Sequence, residues 1–266
     1  MEITEASCIP KRLSDAVGED GMVVTDDYVA VIDGSTSKTT YRHSLTMTNG
    51  RKAMKIVARY IRHAKASLSC HEFCVGATKA VAGHYHFWER QRVAEHPEDR
   101  LTCSAVVFSR QKREVWLIGD CQCMIDGRLY DNPKPYEQEL ADKRAETILA
   151  SSFPKEHFLA RDSAREAILP DMLRHMQQQN KTYAVIDGFS IPEQHVRVLT
   201  LTFQPHELVL ASDGYPFLCP TLNQSEERLK ELREKDPCCI SMYRATKGIM
   251  HDQESYDDRT YIRLTV

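Results

Sequence analysis

No apolar stretch in this 266-residue sequence approaches the roughly 20 residues needed to cross a bilayer. The opening Met1-Glu2-Ile3-Thr4-Glu5-Ala6-Ser7-Cys8 lacks the basic and apolar segments of a secretory leader. An excess of one charge is missing too. Thirty-five Lys and Arg against 38 Asp and Glu leave a net charge of -3, without the basic surplus that nucleic acids and anionic membranes demand. There is no linker rich in Pro, Gly or Ser, no tandem repeat and no second compositional block, which predicts one domain over residues 1–266. Nine cysteines, with neighbours at Cys238-Cys239 and a Cys121-x-Cys123 pair, are odd in number. They suit a reducing compartment better than a disulfide framework. The expectation is a cytoplasmic protein that binds neither nucleic acid nor membrane. Its 42% hydrophobic residues are enough for a sizeable core.

What the chain does have is a repeated device. Val29-Ala30-Val31-Ile32 is a short apolar run closed by Asp33-Gly34; Val115-Trp116-Leu117-Ile118 is closed by Gly119-Asp120; Leu208-Val209-Leu210-Ala211 is closed by Ser212-Asp213-Gly214. Each run reads as a buried strand and each closure as the point where the backbone leaves the sheet. A fourth case is reversed, with Asp257-Asp258 standing just ahead of the alternating segment 259–266. A single Asp of this kind is most simply a turn residue. Four at strand ends can share one sheet edge, where converging carboxylates repel and stay ionised only if cations neutralise them. Oxygen ligands alone, with no His or Cys in these motifs, select hard ions, Mg²⁺ or Mn²⁺.

With these residues in view, the chain resembles the metal-dependent protein phosphatases of the type-2C family. The matching blocks are Gly18-Glu19-Asp20, Val31-Ile32-Asp33-Gly34, Thr102-Cys103-Ser104-Ala105 with Ile118-Gly119-Asp120-Cys121, Leu208 to Gly214, and Asp257-Asp258-Arg259-Thr260. They occur in the family's order and span nearly the whole chain. The resemblance implies an α+β fold, a four-layer αββα sandwich of two mainly antiparallel sheets flanked by helix pairs. It also implies a two-metal centre bridged by Asp33, with the Gly34 carbonyl on one ion and Asp213 and Asp257 on the other. Glu19 and Asp20 match positions that hold metal-bound waters, and Asp120 matches an aspartate of a third, weaker metal. Asp33 and Asp213 would then act through a metal-bound water that attacks a phosphoserine or phosphothreonine monoester of a protein substrate. No nucleophilic cysteine is required. The alternatives are a non-catalytic regulatory or binding domain of the same fold, and a phosphatase of small phosphorylated metabolites.

Two departures from the family pattern stand out. Ser35 occupies the position after Asp-Gly where many relatives carry His, and a hydroxyl is a poor acid at neutral pH. The family's phosphate-binding Arg usually lies shortly before the Glu-Asp pair. Here the nearest basic residues are Lys11 and Arg12, and Arg12 ranks first because its planar fork can grip phosphate in bidentate fashion.

The rest of the chain supplies a coarse map. Residues 1–20 read as a lead-in, and a hairpin of strands 21–25 and 28–33 brings Glu19-Asp20 near Asp33. Apolar residues every three or four positions predict a helix from Asn49 through Ala64, and a second helix is predicted over 71–93. Cys70, His71, Cys74, His84 and His86 do not have zinc-finger spacing and read as core and surface residues. An antiparallel meander is expected over 101–130. Helices at 135–152 and 162–179 fall in a segment, about 131–181, that matches the family least and reads as a divergent insertion on the substrate side. Val185-Ile186-Asp187-Gly188 repeats the motif of Asp33 but reads as a turn before a strand at 196–203. Helices at 223–235 and 240–247 precede the last strand.

Overall fold

The computed structural model describes residues 1–12, 14–15 and 17–266; residues 13 and 16 of the expected lead-in lie outside the described residues. Among the described residues, ten strands form two five-stranded antiparallel sheets. One holds β2 (Gly21–Val24), β3 (Tyr28–Gly34), β4 (Cys103–Ser109), β5 (Glu114–Ile118) and β8 (Arg197–Thr200), in the order β2-β3-β4-β5-β8. The other holds β1 (Glu2–Ile9), β6 (Gln122–Ile125), β7 (Arg128–Tyr130), β9 (Glu207–Ala211) and β10 (Arg259–Thr265), in the order β1-β10-β9-β6-β7.

The continuous apolar runs are explained by burial on both faces. Alternate residues of a strand point to opposite sides. Val29, Val31, Val106, Phe108, Val115 and Leu117 face the second sheet, where they meet Leu208, Leu210, Ile262 and Leu264. Ala30, Ile32, Ala105, Val107, Trp116 and Ile118 face outward into a core shared with α1 (Asn49–His63) and α2 (Cys70–Ala82). On the far side of the second sheet Val209, Ala211 and Tyr261 pack against Tyr215, Leu218 and Leu222, the first residue of α7 (Leu222–Lys235). Helices, two sheets and helix make the expected αββα sandwich.

The local chemistry fits each helix start. Thr48 caps α1 by accepting from the Arg51 N–H, and Ser69 with Glu72 forms a reciprocal capping box on α2. The basic residues of α1 are kept off its buried stripe of Ala53, Ile56, Val57 and Ile61.

Several expectations need correction. Residues 2–9 are not a lead-in but an edge strand. They pair with β10 through a register shift between Ile3 and Glu5, and their exposed and half-buried residues alternate without an apolar run to announce a strand. The second helix ends at Ala82 instead of Val93, because the chain turns at Gly83 to carry Tyr85 into the core. There the Tyr85 hydroxyl donates to the Asp187 carbonyl at 2.6 Å and accepts from the Leu101 N–H at 3.0 Å. The meander splits: β4 and β5 stay in the first sheet, and the chain crosses to the second at Gly119, whose φ of 92° is a left-handed conformation. The segment 240–247 is not helical. The Asp236 carboxylate gathers the N–H groups of Ile240, Ser241 and Met242 at 2.7–3.2 Å, which fixes a turn instead.

The divergent segment is helical, with α4 (Glu137–Leu149), α5 (Lys155–Ala160) and α6 (Ser163–Met176), α3 being the short helix Arg90–Glu95. Ala145, Ile148, Phe158 and Ala164 from this segment pack with Cys238 and Ile240. Fully buried Arg144 joins the two parts, reaching the Asp162 carboxylate at 2.7 Å and the carbonyls of Cys238 and Ala245 at 2.8 and 3.1 Å.

Candidate metal centre

Asp33 is the penultimate residue of β3 and stands in register with Ser104 of β4. β5 runs on the other side of β4, parallel in direction to β3, so its continuation through Gly119 delivers Asp120 beside Asp33. β9 delivers Asp213 from the second sheet. Asp33, Asp120 and Asp213 all line one cavity of about 480 Å³.

Two glycines make this convergence feasible. A Cβ on Gly34 would lie 2.5 Å from the Glu19 carbonyl oxygen and 2.6 Å from the Gly50 carbonyl, so the end of β3 is clasped between the acidic segment and the first turn of α1. A Cβ on Gly119 would lie 2.3 Å from the Ser104 Oγ. Without one, the Ser104 hydroxyl donates to Asp120 Oδ1 at 2.5 Å.

The acidic pair is tied in by Asp258, not by the hairpin alone. Its buried carboxylate accepts from the Glu19 N–H at 2.7 Å and the Lys11 N–H at 2.8 Å. Asp20 is buried and accepts from the Thr260 hydroxyl at 3.1 Å. Glu19 Oε2 accepts from the Thr36 hydroxyl at 2.6 Å, while Glu19 Oε1 is buried with no hydrogen-bond partner among the described residues. Asp213 Oδ1 is in the same condition.

Burial, with mutual repulsion added to it, shifts the protonation of these groups. Burial and the charge of Asp120 push Asp213 up to about 6, against the pull of Lys247. Burial raises Asp20 to about 6, with Asp258 adding to the rise and hydrogen bonds from Ser212 and Asp33 opposing it. Asp33 is held well above the ordinary carboxylate range by burial and by Asp213, Asp20 and Asp120. Asp120 goes the other way: burial opposes its charge, but the Lys134 ammonium bonded to it prevails and lowers it. Buried carboxylates with raised pKa values and orphaned oxygens are a donor set that a divalent cation fits.

The remaining expected residues are placed as follows. Asp257 lines the cavity, but its carboxylate is held by two ammonium groups, Lys11 at 2.9 Å and Lys247. Lys11 thus serves Asp257, and it reaches Thr36 Oγ1 at 3.5 Å. Arg12 does not line the cavity; its Nε donates to Asp252 at 2.5 Å near the surface. Asp187 also lies apart. It is fully buried and braces its own turn through Arg100 at 2.8 Å, Asn180 at 2.7 Å and the Phe189 N–H at 2.9 Å.

Sequence reasoning missed Glu137. Its carboxylate, with those of Asp120 and Asp213, forms a group whose oxygens lie within 4.8 Å of one another. Nothing near Glu137 in the sequence marks it, since it opens an otherwise ordinary helix. Lys134 was also missed, although Pro133 and Pro135 on either side signal a stiff, extended approach that fixes where it points. Lys38, Arg165, Arg244 and Lys247 add further positive charge to the cavity wall and carry no motif.

No family model matches the sequence, and no curated protein matches it. Among solved structures, PppA, a key regulatory component of T6SS in Pseudomonas aeruginosa, is similar at a TM-score of 0.46 and 11% identity over 98% of this chain and 95% of that one. The catalytic domain of the serine/threonine protein phosphatase PstP in complex with two manganese ions is similar at 0.45 and 14% identity over 99% of each chain. RsbX in complex with magnesium is similar at 0.43 and 11% identity over 98% of this chain and 97% of that one. No helix among the described residues is long and apolar enough to cross a membrane.

Proposed function

We propose that this chain is a metal-dependent phosphoric monoester hydrolase acting on phosphoserine or phosphothreonine in protein substrates. The observation that carries the reading is the convergence of Asp33, Asp120, Glu137 and Asp213 on one cavity, with Asp213 Oδ1 buried and unpartnered. Two Mg²⁺ or Mn²⁺ ions would be held by Asp33, the Gly34 carbonyl, Asp213 and Asp257. Glu19 and Asp20, which do not line the cavity, would hold metal-bound waters, and Asp120 with Glu137 would hold a third ion.

Ions bound there supply a coordinated water of lowered pKa and offset the charge of the phosphoryl oxygens. The protein's own part is orientation. Ser104 fixes one oxygen of Asp120, whose other oxygen meets Lys134; Thr36 fixes one oxygen of Glu19 and leaves the other unpartnered; and Thr260 fixes one of Asp20. The helical segment 131–181 walls the cavity with Tyr136, Gln179 and Tyr183, which restricts water around the reacting group.

One observation favours a second reading, a regulatory domain without turnover. Lys134 on Asp120, and Lys11 with Lys247 on Asp257, neutralise two of the carboxylates without any metal. Hydrolysis of an aryl phosphate and of a phosphothreonine peptide, with Mn²⁺, with Mg²⁺ and with chelator, separates the two. Metal-dependent turnover that is lost in Asp33→Asn supports the hydrolase. A folded protein that turns over neither substrate with any ion supports the regulatory reading, and turnover of the aryl phosphate alone turns attention to small phosphorylated metabolites.

A further inference from the structure

The cavity contains two cations that the metal centre does not use. Lys38 leaves the Asp33 strand end four residues on, and its Nζ donates to the Thr36 carbonyl at 2.6 Å. Arg165, from the first turn of the divergent segment's last helix, donates through Nη1 to the Thr246 carbonyl at 2.6 Å and to its hydroxyl at 3.4 Å. Both line the cavity, and neither side chain has a carboxylate within 4 Å among the described residues.

Their neighbours sharpen the contrast. Lys134 and Lys247, in the same cavity, are each committed to a carboxylate, Asp120 and Asp257. Lys38 and Arg165 meet only backbone carbonyls and one hydroxyl, which leaves most of their N–H donors directed at the cavity or at solvent. A half-buried cation without an ion-pair partner is costly, and two in one cavity repel each other as well. Consistent with that cost, Lys38 is held well below the ordinary lysine range by burial and by the charges of Arg165 and Lys247. Glu137 lies near enough to feel Lys38 but is not bonded to it.

We infer that Lys38 and Arg165 form the oxyanion subsite of this cavity, gripping the non-bridging oxygens of a phosphate group whose phosphorus faces the Asp33–Asp213 carboxylates. A phosphate dianion supplies the counter-charge that both cations lack. It also accepts the planar fork of Arg165 and the point charge of Lys38, and charge-assisted bonds of this type are the strong ones. The cavity as a whole agrees. Its lining carries six carboxylates (Asp33, Asp120, Asp131, Glu137, Asp213, Asp257) and five cations, those four and Arg244, a net of -1 that one divalent ion turns to +1. Arg12 and Lys11, the sequence-based candidates for this role, are engaged elsewhere, on Asp252 and Asp257.

The inference takes its ligand from the phosphatase reading, but its test does not depend on turnover. Inorganic phosphate is titrated calorimetrically into the full chain with Mn²⁺ and, separately, with chelator, for wild type, Lys38→Gln, Arg165→Gln, Lys38→Arg and Arg12→Gln. Each of the two Gln substitutions in the subsite should weaken phosphate binding about tenfold or more. Lys38→Arg, which keeps the charge, should retain most of it, and Arg12→Gln should leave it unchanged. Loss in Lys38→Gln together with retention in Lys38→Arg excludes simple unfolding as the cause. Failure of wild type to bind phosphate in either condition, or equal binding by wild type, Lys38→Gln and Arg165→Gln, would overturn the assignment. Phosphate binding that obeys these substitutions in a protein without turnover keeps the subsite and rejects the hydrolase; turnover whose KM ignores them does the reverse.

Discussion

Asp213→Asn offers a test of the carboxylate cluster that needs no substrate. In the metal-free protein Asp213 titrates at about 6 against an ordinary 3.8. The folded state therefore binds this proton more tightly than the unfolded chain does. The stability that protonation provides is fully present below about pH 4 and is lost as pH rises through about 6. At pH 7 the ionised group is a net cost. A shift of roughly two pKa units corresponds to about 3 kcal/mol, at 1.36 kcal/mol per unit. Asn removes the charge, keeps the shape, and offers an amide that can donate to the neighbouring carboxylates. The substitution should then stabilise the metal-free protein at pH 7 by about 2–3 kcal/mol, raising Tm by about 5–10 °C for a chain of this size. Mn²⁺ should reverse the ranking. A ligand at about 1,000 times its Kd stabilises by about 4.1 kcal/mol, and wild type should gain this while the variant gains little. Thermal unfolding at pH 5 and pH 7, with chelator and with Mn²⁺, reads all four values. Wild type with chelator should lose stability between the two pH values, and Asp213→Asn should lose less, the remainder coming from Asp20 and Asp33, which are also raised. A variant less stable than wild type in chelator, or one that gains as much from Mn²⁺, would refute the reasoning.

Further predictions concern the framework. Gly34→Ala places a methyl 2.5–2.6 Å from the backbone of Glu19 and Gly50; backbone cannot step aside cheaply, so urea denaturation should show a loss of about 1–3 kcal/mol and Mn²⁺ affinity should fall with it. Arg144→Leu strands the buried Asp162 carboxylate and two carbonyls, and the same assay should register about 3–5 kcal/mol. Tyr85→Phe removes the hydroxyl that joins the Asp187 carbonyl to the Leu101 N–H in the core, which should cost about 1–3 kcal/mol without changing Mn²⁺ binding.

The sandwich was legible because its central strands are buried on both faces and write themselves as uninterrupted apolar runs, each closed by Gly or Ser with Asp. Asp33, Asp120 and Asp213 were legible for the same reason: the residue that leaves a buried strand is marked by the end of the run. β1 was not, because an edge strand exposed along one side, Glu2 to Ile9, shows neither a run nor a clean apolar alternation. Residues 240–247 misled in the opposite sense. Their composition permits a helix, yet one carboxylate four to six residues upstream, Asp236, captures the N–H groups a helix would use. The cations of the cavity were illegible in principle. Lys38, Lys134, Arg165 and Lys247 come from four separate stretches, and only the fold brings them to one wall. Arg12 was favoured by its place in the chain, and the nearby Asp252 claims it.

In the reading proposed here, Asp33 and Asp213 would hold a divalent cation. The most direct test is Mn²⁺ binding, followed by electron paramagnetic resonance and calorimetry at pH 7, for wild type, Asp33→Asn, Asp213→Asn and, as a control, Asp187→Asn. Saturable binding by wild type, abolished in the first two variants and retained in any folded Asp187→Asn, is the predicted result. A wild type that binds no Mn²⁺, or Asp33→Asn and Asp213→Asn proteins that bind it as wild type does, would contradict the account.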